Sequence, residues 1–359
     1  MDPTLASALQ AAVLAQNFAA TPDAWQGGQP LVLHPNIDLA VVAFDPAQRH
    51  APRCANVLFS REHPHGLLAA LPGNAGALQS VRFDADLQGV DGSSVAWAPG
   101  SDWQTLNFTP LHTWHDATAP RFVAPYPASL LKLLVAVGVG IAIDRRLCAW
   151  PDALHPMIVV SSNEATDECV ALLHRTGMID AARLHNALND ALAAYGLPTL
   201  QLNRTTAAGG WRNADGAGVG HIHMTAWDTA RLLWLLDSQA PPAPWLPAGT
   251  APLLQASTRD RLRAVLAAQE LDEILSSGHL KNETGWLPGL PDAPAFAHKT
   301  GTTDNYASDA GIVRTPDTHY IVAMLSSLGG RFAATPACAT TWRLPALGAA
   351  IHAIVQTLP

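Results

Sequence analysis

Lysine is scarce in this sequence, which has 3 lysines against 18 arginines in 359 residues. Charged residues of every kind make up only 14% of the chain, and the formal net charge is −8. A nucleic-acid or anionic membrane surface needs clustered lysine and arginine, so the composition argues against both partners. A lysine retained in such a chain indicates chemistry that arginine cannot perform, because an ammonium group can lose its proton and a guanidinium group does not.

Long hydrophobic runs are absent as well. The longest, Leu133 to Ile143, falls short of the ~18 apolar residues that a membrane-spanning helix needs. The first residues carry neither the positive charge nor the small-residue cleavage site of a signal peptide. We therefore expect no membrane span and, as the sequence stands, a cytoplasmic protein. A periplasmic or secreted protein is the alternative if an export signal was removed.

Cysteine and histidine offer no metal site. The four cysteines show no CxxC spacing, which argues against a zinc finger and against a redox motif. A Cys148–Cys169 disulfide is one alternative, and buried free thiols are the favoured one. His63-Pro-His65 and His221-Ile-His223 lack a third ligand at a convincing spacing. The sequence therefore predicts that no metal is bound.

Apolar residues make up 48% of the chain, enough to bury a large core in one large domain or two ordinary ones. Residues 1–125 predict an N-terminal helix followed by extra strands and loops, which we expect to belong to the same domain as the rest. Residues 126–290 are mainly helical in pattern, with helices expected over Asp180–Tyr195 and Thr258–Leu275. Residues 291–359 alternate like antiparallel strands before a closing helix. The outline is α+β.

The first retained lysine, Lys132, follows Ser129 by three residues at the start of a segment predicted to be a buried helix. This spacing puts both side chains on one helix face, one turn apart. A serine hydroxyl becomes a nucleophile when a base removes its proton, and a desolvated lysine near a second positive charge is a suitable base. The structural alternative is an N-cap serine with a solvent-reaching lysine. Chance would give on the order of 0.1 Ser-x-x-Lys pairs in this composition.

Two further motifs accompany this pair. Lys299-Thr300-Gly301 lies on a predicted strand, where lysine and threonine supply a cation and a hydroxyl for an anionic group and glycine permits a close approach. A β-turn with an exposed lysine is the alternative. Ser161-Ser162-Asn163 precedes a predicted helix and is weak evidence alone, because serine and asparagine commonly cap helices. Its place between the other two motifs makes it the third element of one site.

In this order the three motifs resemble the serine β-lactamase and penicillin-binding protein superfamily, in particular its class A β-lactamase branch. The resemblance implies an antiparallel sheet flanked by N- and C-terminal helices beside a helical subdomain, with the active site between them. It covers about residues 120–358. The segments that carry it are Pro127–Leu133, Ser161–Asp167, Thr225–Leu233, Ala297–Thr302 and Asp309–Val313.

The resemblance also implies catalytic roles. Ser129 would be the acylated nucleophile and Lys132 its general base. Ser161 would pass a proton to the leaving nitrogen, and Lys299 would orient the substrate carboxylate. The backbone N–H of Ser129 would form an oxyanion hole with that of Thr302.

Substrate-binding roles are implied for four residues near these groups. Asn163 would bind the amide side chain of the substrate and contact Lys132. Thr300 would orient the substrate carboxylate together with Lys299, and Gly301 and Thr302 continue the strand that the substrate approaches. The resemblance implies a small-molecule or peptide substrate, no metal or organic cofactor, and a monomer.

The sequence departs from the class A pattern at the step that releases the product. Class A enzymes hydrolyse their acyl-enzyme with a loop glutamate, and that loop should follow Leu202-Asn203-Arg204. No glutamate occurs between Glu168 and Glu270. Asp215 is the one carboxylate of this loop, and we interpret it as a turn residue. Acylation is therefore supported and rapid deacylation is not.

The sequence thus predicts a β-lactamase-like serine hydrolase that forms an acyl-enzyme on Ser129 and releases it slowly. A weak β-lactamase, a D,D-peptidase and an esterase or amidase all remain open. Asp309 stands where some relatives have an arginine, which weakens the case for tight binding of a carboxylate. The rival from another class is a non-hydrolytic penicillin-binding sensor or pseudoenzyme, which the missing glutamate favours and the intact lysine pair opposes.

Overall fold

The computed structural model describes most of the chain. Asp215, interpreted from the sequence as a turn residue, lies outside the described residues. These are 2–23, 27–31, 34–45, 50–68, 79–83, 108–110, 121–180, 185–211, 222–303, 306–327 and 339–358.

Helices occupy both ends of the chain and much of its middle. Several begin at a residue whose side chain accepts hydrogen bonds from the first turn, such as Asp2, Ser162, Asn186 and Thr225. Within the described residues the α-helices are α1 (Pro3–Ala15), α2 (Lys132–Asp144), α3 (Leu154–Val159), α4 (Asn163–Arg175), α5 (Ala187–Ala194), α6 (Ala226–Leu236), α7 (Ala256–Leu266) and α8 (Ala339–Gln356). Short 3-10 helices cover Phe18–Ala20, Ala128–Leu131 and Gly278–Leu280.

The longer strands lie near the N-terminus and near the C-terminus, and most of the shorter ones form two-stranded pairs or a three-stranded sheet. In chain order the described strands are β1 (Pro22–Asp23), β2 (Gln29–Pro30), β3 (Ile37–Phe44), β4 (Arg53–Phe59), β5 (Leu67–Leu68), β6 (Gln79–Phe83), β7 (Phe108–Pro110), β8 (Arg121–Val123), β9 (Ile179–Asp180), β10 (His185–Asn186), β11 (Gln201–Leu202), β12 (Ile222–His223), β13 (Phe296–Thr302), β14 (Tyr306–Arg314) and β15 (His319–Ser327).

Six strands form the main sheet, in the order β13-β14-β15-β3-β4-β5, and every neighbouring pair is antiparallel. The C-terminal strands join the N-terminal ones where β15 pairs with β3, with Ile321 opposite Val42. The turn from β14 to β15 is closed by a hydrogen bond from Thr315 N to Thr318 O of 2.9 Å. The division of the chain at residue 125 stays a prediction, although strands from both sides of it share this sheet.

Both faces of the sheet are buried, because side chains alternate between two apolar cores along each strand. On β3, Leu39 and Val41 face the core formed with α1 and α8, whereas Ala40 and Val42 face the core formed with the central helices. The molecule is thus an antiparallel sheet with the terminal helices on one face and a helical region on the other. The α+β class predicted from the sequence is confirmed.

Helix α2 is apolar on every side and lies inside the helical region. All of its residues from Lys132 to Ala142 are buried. A Cβ atom added to Gly138 would lie 3.1 Å from side-chain atoms of Leu173 and Leu188, so neighbouring helices approach α2 closely. The position of α2 carries Lys132, its first residue, into the interior.

Two predicted helix boundaries are wrong. Asp180 is not an N-cap, because it pairs with His185 in a short β-ladder and the helix begins after the cap Asn186. The helix expected to continue to Leu275 ends at Leu266. Beyond this end, the Gln269 side-chain oxygen accepts hydrogen bonds from two backbone N–H groups, at 3.1 and 3.0 Å, and its amide nitrogen donates to Ile158 O. Beyond the helix end, Gln269 thus holds its own loop locally and joins it to Ile158, which is distant in sequence.

The described cysteines, Cys54, Cys148 and Cys169, are free thiols, which agrees with the alternative favoured over a disulfide; Cys169 is buried as expected, whereas Cys54 and Cys148 are half-buried. Burial raises the pKa of Cys169 to about 12, which leaves that thiol protonated and unreactive at neutral pH. Within the described ranges, no helix has the length and apolar character required to cross a membrane.

Candidate active site

Ser129 lies in the 3-10 turn that leads directly into α2. The preceding residue, Ala128, has φ +51°, a left-handed conformation that is uncommon for a residue with a side chain. Ala128, Leu130 and Leu131 are buried, whereas Ser129 is half-buried. The turn therefore leaves the serine as its accessible residue, and backbone strain at such a position is typical of a functional site.

The strand β13 passes directly over this turn at Gly301. A Cβ atom on Gly301 would lie 2.5 Å from both Leu130 N and Pro127 O, and 2.8 Å from Ser129 N. Only glycine fits at this distance, since any side chain would collide with the backbone of the turn. This contact brings the Lys299-Thr300-Gly301 motif to Ser129, as the motif order predicted.

Lys132 joins the third motif to the other two. Its Nζ donates to Ser161 O at 2.5 Å, to Ser161 Oγ at 3.0 Å and to Asn163 Oδ1 at 2.8 Å. Ser161 has φ +56°, and both its carbonyl and its hydroxyl reach the same amine. Lys132 is fully buried, whereas Asn163 is exposed. The hydroxyl of Ser161 is therefore placed to exchange a proton with Lys132.

Lys299 is the second fully buried lysine of the site. Its Nζ donates to Thr300 O at 2.9 Å. Burial and then the positive charge of Lys132 lower the pKa of Lys299 to about 7, against partial compensation from Asp309 and Glu273. The two lysines therefore lie close enough for the positive charge of Lys132 to act on Lys299.

The two threonines of β13 occupy different environments. Thr300 is buried and lies opposite Asp309 in the adjacent strand, and side-chain alternation puts it on the other face from Lys299. Thr302 is exposed at the end of the strand. The structure thus brings the three motifs together, and the chemical roles of their residues remain predictions.

A buried carboxylate–imidazole–carboxylate group lies behind Lys299. His298 Nδ1 is 2.7 Å from Asp309 Oδ1, and its Nε2 is 3.1 Å from Asp272 Oδ1. Burial alone would lower the pKa of His298, but the two carboxylates outweigh it and raise the pKa to about 9. Asp309 also accepts a hydrogen bond from Leu275 N at 3.0 Å. Asp309 stands where some relatives have an arginine. In this structure its carboxylate is hydrogen-bonded inside the protein, to His298 and to Leu275 N.

This group was not predicted from the sequence. His298 is 11 residues from Asp309 and 26 residues from Asp272, and the three residues share no motif. Asp167, which lies one helical turn after Asn163 on α4, was likewise not predicted to belong to the site. That i, i+4 spacing was the available signal. Among the described residues, no cluster of three or more histidine, cysteine, aspartate or glutamate side chains is arranged to hold a metal ion.

Comparisons with known proteins bear on the family and on the fold. A family model described as the beta-lactamase enzyme family matches residues 144–338. No curated protein matches the chain. The fold is similar to that of a β-lactamase from Sphaerobacter thermophilus, at 14% identity over 98% of both chains with a TM-score of 0.52.

Two further solved structures match a shorter part of the chain. A class A β-lactamase from Bacteroides cellulosilyticus is 19% identical over 64% of this chain and 83% of its own, with a TM-score of 0.44. A protein described as PBP-A is 21% identical over 64% of this chain and 81% of its own, with a TM-score of 0.42.

Proposed function

Because the chain belongs to the beta-lactamase enzyme family, we propose that this serine hydrolase of the β-lactamase and penicillin-binding protein type forms an acyl-enzyme on Ser129. The substrate is a β-lactam or a related acyl amide or ester. The observation that carries the proposal is the hydrogen bonding of the buried Lys132 amine to Ser161 and Asn163, one turn from a half-buried serine. This arrangement supports assigning Ser129 as the nucleophile, Lys132 as the base and Ser161 as the proton relay.

The acylation step follows from these positions. The neutral amine of Lys132 takes the proton of Ser129, and Oγ of Ser129 adds to the carbonyl carbon of the substrate. The backbone N–H groups of Ser129 and Thr302 stabilise the developing oxyanion. The carbon–nitrogen bond then breaks, the hydroxyl of Ser161 protonates the leaving nitrogen, and the proton held by Lys132 passes to Ser161 across 3.0 Å.

Release of the acyl group is the slow half of the proposed reaction. The segment Thr205–Trp211 contains no carboxylate, although class A enzymes use one there to activate water. In this chain the Thr206 hydroxyl accepts a hydrogen bond from Gly210 N at 2.8 Å, so it closes a turn where a base is expected. General-base assistance is typically worth about 10²- to 10⁴-fold in rate.

A fluorescent penicillin tests this proposal directly. We expect a rapid burst of covalent labelling, close to one equivalent, followed by a slow steady state. The reason is that the residues proposed for acylation are present, whereas the loop carboxylate that would activate water for deacylation is missing. Gel fluorescence and intact mass over time measure both phases. Steady turnover without a burst would refute the slow release, and the absence of any adduct would refute β-lactam acylation.

A persistent adduct with no steady state would favour the second candidate function, a penicillin-binding sensor. The missing loop glutamate is the observation that favours it. A D,D-peptidase or esterase would instead show turnover of a peptide or ester and little of the penicillin. The same assay, run with the three substrates in parallel, separates these alternatives.

We expect the KM for a carboxylate-bearing substrate to rise roughly 10- to 100-fold as pH increases through about 7. The reason is that the Lys299 ammonium, which orients the carboxylate, loses its charge as pH rises through its pKa. KM is measured as a function of pH for this substrate and for a neutral ester of the same acyl group, which should show no such rise. Lys299→Arg should also flatten the profile, and an equal rise in that variant would exclude Lys299 as the titrating group.

A further inference from the structure

Helix α4 serves two parts of the site at once. Asn163, its first residue, accepts a hydrogen bond from Lys132 Nζ at 2.8 Å. Asp167 lies four residues later on the same helix face. Its Oδ1 accepts a hydrogen bond from Trp211 Nε1 at 2.8 Å. The helix that contacts the lysine therefore also holds an aromatic ring of the neighbouring loop.

The loop segment Thr205–Trp211 is held on α4 at two further points. At its start, Thr205 Oγ1 is 2.9 Å from His174 Nε2. In its middle, Gly209 has φ +102°, and a Cβ atom there would lie 2.2 Å from Asp167 O. These contacts, with the Asp167–Trp211 hydrogen bond, fix the segment at its start, its middle and its end.

The ring held in this way lies next to the lysine of the site. The ring centroid of Trp211 is 5.8 Å from Lys132 Nζ. Trp211 is only 6% exposed and Lys132 is fully buried. The indole therefore occupies space beside the amine that water would otherwise fill.

We propose that Trp211, held by Asp167, closes the Lys132 side of the site against water and so sets the lifetime of the acyl-enzyme. Trp211 is a positioning residue. Its effect on the lifetime of the acyl-enzyme rests on the proposed function, whereas its covering of Lys132 can be tested without that function. Hydrolysis requires a water oxygen to add to the acyl carbon while its proton passes to a base. The bond to Ser129 Oγ then breaks, and Oγ takes that proton. A ring beside Lys132 keeps water away from the base that acylation leaves available.

The chain's three lysines allow the covering to be tested without any substrate. Reductive methylation of the folded protein, followed by peptide mass spectrometry, compares Lys132 with Lys281, whose side chain is 55% exposed, and with the buried Lys299. In the parent protein we expect Lys281 to be methylated and the other two to be protected. In Trp211→Ala we expect protection to be lost at Lys132 and kept at Lys299.

The Asp167 pair of variants separates positioning from simple structural support. Asp167→Asn keeps an oxygen that accepts from the indole N–H, so Lys132 should stay protected, whereas Asp167→Ala should expose it. If Trp211→Ala does not fold, the two Asp167 variants still test whether Trp211 covers Lys132. The proposal is overturned if Lys132 is methylated in the parent protein, or if Asp167→Ala and every folded variant at Trp211 leave it protected.

The adduct lifetime is measured on the same variants with the fluorescent penicillin. Trp211→Ala and Asp167→Ala should shorten it, and Asp167→Asn should retain the parent lifetime. If the adduct lifetime is unchanged in a variant whose Lys132 has become reactive toward methylation, then the covering of Lys132 by Trp211 does not control release of the acyl group. Absence of an adduct on the parent protein would instead contradict the proposed function, while the lysine reactivity would still decide the role of Trp211.

Discussion

The Ser129→Ala variant is expected to show no covalent labelling by a fluorescent penicillin while keeping the parent fold. The substitution removes the one hydroxyl that the 3-10 turn leaves half-buried beside Gly301. Without it the acyl group has no oxygen to which it can be transferred. Intact-mass spectrometry measures the adduct, and circular dichroism verifies the fold.

A matched control is Ser257→Ala, on an exposed position of α7. It removes the same atom at a position outside the three motifs and should label with the parent rate and stoichiometry. Labelling of Ser129→Ala at the parent stoichiometry would exclude Ser129 as the nucleophile. Loss of labelling in both variants would point to a general effect on folding.

The second large effect is expected at Lys132. Lys132→Arg should reduce the acylation rate constant nearly as much as Lys132→Ala, by about 10²- to 10⁴-fold. The arginine keeps the positive charge but cannot give up a proton at working pH, so it cannot activate Ser129. Stopped-flow labelling measures the rate constants, and thermal unfolding shows how far each variant is destabilised in the buried site.

Lys281→Arg provides the control for this comparison. Lys281 is exposed and paired with Asp292, so the substitution should leave acylation unchanged. A loss of only a few-fold in Lys132→Arg, beside a large loss in Lys132→Ala, would mean that Lys132 acts through its charge alone.

Local patterns in the sequence predicted much of the architecture. The apolar segment after Ser129 predicted α2, and the alternation within residues 291–359 predicted β13, β14 and β15. These predictions succeed because they depend on neighbours within one helical turn or one strand. The boundary at Asp180 failed because a polar residue before an apolar run is compatible with either a cap or a short ladder, and pairing with His185 decided between them.

The candidate site was predictable where its groups lie within a motif, and not where they meet through the fold. Ser129 and Lys132 are related by one turn of helix, so their spacing alone indicated shared chemistry. In the sequence, Asp309 stands where some relatives have an arginine, which weakened the case for tight binding of a carboxylate. Its partners His298 and Asp272 come from another strand and from a loop, and only the packing of the sheet brings them together.

By itself, the sequence determined the α+β class, the three motifs and the lack of a loop glutamate, because composition and short-range spacing carry that information. The tertiary structure alone decided that β13 passes so close to the Ser129 turn that a Cβ atom on Gly301 would collide with the backbone of that turn. It also decided that Lys132 is buried between Ser161 and Asn163, and that Asp167 holds Trp211 beside that lysine. These contacts join residues about 30 to 170 positions apart. They form because burying the apolar faces of α2 and the sheet together leaves one arrangement in which the polar groups also find partners.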